Sequence, residues 1–187
     1  FDTEKEYVNE LKLIKTKESE FESLCKDIEN LNKVLATNKE NLQKLKDAGV
    51  VSIGMHLEAV SDRVRHKIMP GKAEVSLDTY FAAFKAAVEV FGRGQVSTYI
   101  LAGLGDTENE IIEMTAKLTE MGVYPFVVPF VPIQGTALEH HSKPEQAFMQ
   151  ALYPKIGEQL RLHGLNSEDT QAGCAKCGAC SSLKAYE

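Results

Sequence analysis

The stretch Gln95–Ile112, QVSTYILAGLGDTENEII, decides the reading of this chain. Val96 to Leu101 is rich in β-branched and aromatic residues, as a buried strand requires. Gly103 and Gly105 then free the backbone for a tight turn. Thr107 followed three residues later by Glu110 spells a capping box at a helix start. Strand, glycine turn and capped helix in succession make one βα unit. In sheets built from such units, ligands gather where strands end and loops turn into helices, so the Ala102–Thr107 turn is a candidate ligand edge.

The same grammar recurs on both sides of that stretch. Ala48-Gly49-Val50 ends a helix and opens a strand expected over residues 50–57. Ser61 to Ile68 is a short basic segment, broken by Met69-Pro70-Gly71. Ser76 caps a helix to about Phe91, with Leu77, Phe81, Phe84, Val88 and Phe91 on one face. The helix after Thr107 stops at Gly122, with Met114 and Met121 as core filler. In YPFVVPFVPI (124–133) a doubly buried strand is expected over Phe126–Val131. Its prolines are awkward, because each removes a ladder donor, and Pro132 opens a loop. A last helix starts around Ser142, Pro144 and Glu145, runs to His163 and closes at Gly164. Three strands follow three helix stops, and Leu165 is a candidate for a frayed fourth. The fold class is therefore α/β, a partial TIM-type (β/α) barrel with parallel strands. Such a half barrel leaves two sheet edges open, an aggregation risk unless something covers them.

Residues 4–46 read differently. Tyr7, Ile14, Phe21, Ile28, Leu35 and Leu42 fall every seventh residue, and Leu24, Leu31 and Leu45 fill a second column interrupted by Glu10, Lys17 and Asn38. A long N-terminal heptad-patterned helix is predicted, either a coiled coil or helix hairpin, with a protein partner or self-association through residues 4–46, or a long helix lying on the following domain. The organisation is thus 1–40 helix, 41–165 partial barrel and 166–187 cysteine-rich tail.

The formal charge of −6 and the absence of clustered Lys and Arg argue against a nucleic-acid partner. No apolar run reaches the roughly 20 residues of a membrane span, and no signal sequence opens the chain, so a cytoplasmic setting is expected. Starting at Phe1, the sequence reads as a fragment or a processed product.

Three of the four cysteines lie at Cys174, Cys177 and Cys180. This C-x2-C-x2-C run, with Gly173 and Gly178, lets three thiolates converge. An iron–sulfur cluster with one open iron, zinc completed by a histidine or water, and a redox-active thiol set are the alternatives. His163 is the nearest imidazole, and its other reading is a helix-end residue near the terminal carbonyls. His56 and Glu58 alternate with Leu57, placing them on one side of a strand end. Glu58 there pairs either with a ligand amine or hydroxyl or with Arg63 or Arg65.

The phrases GMHLEAVSDRVRHKIMPGKAEVSLDTYFAAFKAAVEVFGRGQVSTYILAGLGDT, YPFVVPFVPIQGTALE and AGCAKCGACSSL together resemble the later half of a radical S-adenosylmethionine enzyme. They are most similar to the biotin-synthase-related subgroup encoded beside nitrilases. The resemblance covers residues 41–187 and leaves the first 40 outside. It implies a four-iron [4Fe–4S] cluster whose open iron is chelated by S-adenosylmethionine. Reductive cleavage then yields a 5′-deoxyadenosyl radical that abstracts hydrogen from a small-molecule substrate. By likeness His56 and Glu58 contact the methionine or ribose part. Tyr99, Gly103 and Gly105 back the ribose and substrate, and Val131 and Pro132 lie by the adenine. Cys174, Cys177 and Cys180 resemble ligands of an auxiliary cluster. One departure is plain: the C-x3-C-x2-C loop that carries the family's radical cluster does not occur in this sequence.

Overall fold

The computed structural model describes the backbone of residues 2–187 and the side chains of residues 10, 12–26 and 38–187. Tyr7, Ile28, Leu31 and Leu35 of the heptad columns lie outside the described side chains. The chain divides into a unit of residues 1–40 and a unit of residues 41–187.

A single helix, α1, is assigned over Asp2–Asp47. In the first unit Leu13, Ile14, Phe21 and Leu24 are each more than half exposed. The last turns of α1 belong to the second unit, where Leu42 packs on the core. There the elements run β1 (Ile53–Gly54), α2 (Asp62–Ile68), α3 (Pro70–Ala73), α4 (Leu77–Phe91), β2 (Val96–Ala102), α5 (Glu108–Met121), β3 (Val123–Pro129), α6 (Gln146–Leu162) and α7 (Gly173–Cys177), with a 3-10 turn at Leu183–Tyr186. The helix starts follow from side-chain chemistry. The Ser76 hydroxyl accepts from the Thr79 amide, and Thr107 and Glu110 form the reciprocal capping box. Gly92 and Gly122, both at positive φ, end α4 and α5.

The three strands form one parallel sheet in the order β1-β2-β3, consistent with a partial TIM-type fold. No fourth strand begins at Leu165, whose amide instead returns to the Leu160 carbonyl at the end of α6. Along β2, Val96, Thr98, Ile100 and Ala102 are buried and the residues between them half-buried. The core gathers Phe84, Ile100, Ile111, Leu118, Val127, Leu152, Ile156 and Leu160, all fully buried. A second, smaller cluster of Ala59, Val64 and Leu104 lies beneath the loops at the strand ends.

β3 begins three residues earlier and ends two residues sooner than the sequence suggests. Its prolines explain how. The Phe130 amide donates to the Ala102 carbonyl, so the even-numbered residues of β3 face β2 and the odd-numbered ones face outward. Pro125 and Pro129 are odd, and neither removes a bond from the ladder. The outward carbonyl of Val127 accepts from Ser181 Oγ at 2.6 Å. The tail thus folds back along this edge and covers part of it. Tyr186 stacks on Tyr153 of α6, with ring centroids 5.7 Å apart, and Gly157 leaves room for the Tyr186 carbonyl.

Candidate functional site

The first strand is shorter than predicted because it is broken by a bulge. The Met55 amide donates to Ser97 O and the Glu58 amide to Tyr99 O, so three residues of the first strand oppose two of β2. Glu58 absorbs the extra residue at φ 67°, the one non-glycine at positive φ among the described residues, and rejoins the ladder by a bridge to Ile100. Strain of this kind in a non-glycine residue concentrates at binding and catalytic positions. Simple alternation of His56 and Glu58 about Leu57 therefore does not hold, although Leu57 is buried as alternation requires.

The ion-pair partner of Glu58 is neither Arg63 nor Arg65. Lys72 Nζ on α3 lies 3.1 Å from Glu58 Oε1, both side chains half-buried. Arg63 turns to the Gly105 carbonyl and to Glu110. Arg65 is fully buried and ties α2 to α3 and the turn beyond it, donating to the carbonyls of Lys72 and Val75, 5.5 Å from the Tyr80 ring centroid.

His56 sits at the bulge, its Nδ1 accepting from the Tyr99 amide at 3.2 Å. Burial and then the nearby Lys72 ammonium hold its pKa below the usual histidine value, against a weaker pull from Glu58. His56, Tyr99 and Phe126 form an edge-to-face row across the three strands, with centroids 5.3 and 5.1 Å apart. A cavity of about 190 Å³ beside this row is also lined by Ser97, Gly173 and Cys174. Burial first, and then the influence of Cys180 and Cys174, push the Tyr99 hydroxyl well above the ordinary phenol range.

The glycine turn lies at the strand ends. Gly103 has φ 106°, and a Cβ there would stand 2.8 Å from Pro144 Cδ. The Gly103 carbonyl meets His141 Nε2 at 2.8 Å, and His141 packs edge-on to Phe130. Gly105 has φ 125° and lies against Val64. Val131, in the loop after β3, is more than half exposed, and Pro132 is half-buried. The residue that sequence reasoning missed here is Asp106. It is buried, and its carboxylate takes the amides of Val60 and Ser61, binding the loop before α2 to the glycine turn. An acidic residue directly after a glycine turn and before a helix cap was the available signal.

The tail cysteines are exposed. Cys174 and Cys177 lie on α7, and Gly178 at φ 67° turns the chain back, its amide donating to the Cys174 carbonyl. Among the described residues no group of three or more His, Cys, Asp or Glu stands close enough to hold a metal ion. Cys174 alone of the three lines the cavity beside Tyr99, so the described side chains do not gather the three thiols on one centre, although an all-sulfur donor set is the kind a cluster takes. His163 caps α6 and gives its carbonyl to Arg93.

Comparison with known proteins places this geometry in a family. The radical SAM superfamily profile matches residues 3–118, more than half of the chain, and the chain belongs to that superfamily. The matched span takes in the first forty residues, which the phrase-by-phrase resemblance leaves outside, and stops short of the tail cysteines. Heptad periodicity reports only that a helix is amphipathic, and so cannot show which family surrounds it. The chain is 21% identical over 127 residues to a probable dual-specificity RNA methyltransferase RlmN of Moorella thermoacetica, covering 67% of this chain and 36% of that protein. It is 27% identical over 121 residues to the bacteriochlorophyllide c C-7(1)-hydroxylase of Chlorobaculum limnaeum, covering 64% and 30%. The chain thus spans about a third of the length of these curated relatives. Membership implies S-adenosylmethionine and a four-iron cluster, and gives the zinc alternative no support. No helix among the described residues is long and apolar enough to cross a membrane.

Proposed function

We propose that the chain is a cofactor-binding module of a radical S-adenosylmethionine enzyme of the biotin-synthase-related subgroup encoded beside nitrilases. In this reading residues 1–40 are an arm, 41–165 a partial barrel, and 166–187 a tail in which Cys174, Cys177 and Cys180 hold a four-iron cluster. Glu58, Gly103, Gly105, Val131 and Pro132 form the rim for S-adenosylmethionine, with His56 and Tyr99 behind it. The observation that carries the reading is the meeting of tail and sheet, where Cys174 lines the same cavity as His56 and Tyr99.

The family's radical cluster supplies the electron for reductive cleavage of S-adenosylmethionine, and a cluster on the tail cysteines would be auxiliary to it. The chain's own residues bind and orient. The Glu58 carboxylate, held at the bulge, accepts from a ligand ammonium, with Lys72 beside it for the ligand's carboxylate. The glycine turn allows close backbone approach, and Val131 and Pro132 offer an apolar surface to a purine. No residue of this chain is assigned the hydrogen-abstracting step, because no C-x3-C-x2-C occurs in the sequence. The substrate is a small molecule or a macromolecule. RNA is named for one relative, so the acidic charge balance no longer serves to exclude nucleic acid.

Anaerobic purification and reconstitution test the reading. Iron and acid-labile sulfide in near-equal amounts are expected, and zinc alone overturns it. Titration with S-adenosylmethionine tests the rim: Glu58→Ala is expected to bind more weakly than wild type, and equal binding removes Glu58 from the site.

The exposed Leu13, Ile14, Phe21 and Leu24 support a second role, self-association or protein binding through residues 4–46. Sedimentation is expected to show a concentration-dependent dimer that Phe21→Lys weakens.

A further inference from the structure

We infer that His141 is a positioning residue for the ligand rim: its hydrogen bond to the Gly103 carbonyl locks the loop carrying Val131 and Pro132 onto the glycine turn. The inference rests on the reading of that rim as the S-adenosylmethionine site, and deepens it.

The bond has one possible direction. A carbonyl oxygen only accepts, so His141 Nε2 carries the proton and donates to Gly103 O at 2.8 Å. Gly103 sits at φ 106°, where the freedom of glycine leaves the chain weakly fixed from within. The bond from His141 supplies the missing restraint. With the carbonyl held, the planar peptide holds the Leu104 amide as well.

The loop between β3 and α6, residues 130–145, meets the same turn at both ends. The Phe130 amide donates to the Ala102 carbonyl, and Pro144 packs so close that a Cβ on Gly103 would stand 2.8 Å from its Cδ. Between these ends the loop bonds to itself. The Gly135 amide donates to Glu139, the Thr136 hydroxyl to the Ile133 carbonyl, and the His141 amide to the Leu138 carbonyl. A loop stitched in this way shifts as one piece, so a bond to the turn sets the position of the whole. The His141 ring also lies edge-on to Phe130, the residue directly before Val131, with centroids 5.3 Å apart. One side chain therefore touches the glycine turn on one side and the start of the apolar surface on the other. Val131 is itself 54% exposed, so its own packing does little to hold it in place.

The turn and the apolar surface are the two parts of the rim that a purine would meet. Holding them in register before the ligand arrives lowers the ordering cost of binding. Loss of the donor is expected to weaken binding about two- to tenfold, the worth of one ordinary hydrogen bond.

In the test, the anaerobically purified protein is titrated with S-adenosylmethionine and, separately, with adenosine, which lacks the ammonium assigned to Glu58. His141→Phe keeps a ring against Phe130 and removes the donor. His141→Gln puts an amide N–H where Nε2 stands. The expected result is a similar loss of affinity for both ligands in His141→Phe and near-wild-type affinity in His141→Gln. Glu58→Ala, by contrast, is expected to weaken S-adenosylmethionine and leave adenosine unchanged, a split that general damage to the fold does not produce. Wild-type affinity in His141→Phe, an equal loss in His141→Gln, or a loss in His141→Phe confined to S-adenosylmethionine overturns the inference and leaves the rim reading standing. Failure of wild type to bind S-adenosylmethionine overturns the rim reading itself, and the inference falls with it.

Discussion

The carboxylate of Asp106 holds Ser61 at two points, taking its amide at 3.0 Å and its hydroxyl at 2.5 Å, while the other oxygen takes the Val60 amide at 2.9 Å. Ser61 is also the N-cap of α2, so one side chain in the glycine turn sets where the neighbouring loop becomes a helix. Asp106→Asn keeps the shape but leaves an acceptor short for these donors. The expected loss is about 1–3 kcal/mol, for buried donors left without a partner. Denaturant unfolding of the variant against wild type measures it.

The tail depends on a glycine in α6. A Cβ at Gly157 would lie 2.1 Å from the Tyr186 carbonyl oxygen and 2.8 Å from its carbon, both backbone atoms that cannot turn aside. Alanine favours the helix itself by roughly 1 kcal/mol. Gly157→Ala is therefore expected to leave α6 intact and lift the tail away, at a loss of about 1–3 kcal/mol from overpacking. Limited proteolysis is expected to cut residues 173–187 faster than in wild type, with circular dichroism unchanged.

The capping box of α5 gives the fold an acid-sensitive element. The backbone amide of Thr107, its side chain, and Arg63 hold the Glu110 carboxyl below its ordinary value of 4.5. A depressed folded pKa contributes stability that is present above the unfolded value and lost as pH falls through the folded one. Acid titration followed by circular dichroism is expected to show a steeper loss below about pH 4.5 in wild type than in Glu110→Gln.

At the other end of the scale stands Tyr124. Burial, and then the hydrogen bond to the Glu187 carboxylate, raise its hydroxyl far above the ordinary value of 10.0. A raised folded pKa gives stability that is complete below the unfolded value and is lost as pH rises above it. Wild type is expected to lose stability above about pH 10, and Tyr124→Phe is expected to show a shallower alkaline decline. Thermal unfolding across pH 8 to roughly 11 checks the sign.

The helix boundaries were legible where a single side chain makes them. Ser76, Thr107 and Glu110 carry their hydrogen bonds in their identity and spacing, and Gly92 and Gly122 mark the stops. The parallel βα order followed from those boundaries. The bulge at Glu58 left no such mark, because glutamate in a left-handed conformation is imposed by the ladder around it rather than by local preference. The partner of Glu58 was equally hidden. Lys72 lies fourteen residues away on a short helix, while the arginines closer in sequence are committed elsewhere. Pro154 sits inside α6, where local propensity alone argues for a break. The placing of Cys174 in the same cavity as Tyr99 depends on the tail's return to the sheet, a long-range relationship that no window of sequence contains.

The placement of Pro125 and Pro129 makes the sheet directional. A strand arriving beside β3 would find two of its amide positions replaced by proline rings and the Val127 carbonyl already taken by Ser181. Pairing of another strand along that border is disfavoured by the two missing donors and the occupied carbonyl. The opposite flank of the sheet, at β1 and next to the bulge at Glu58, carries no proline and keeps its donors.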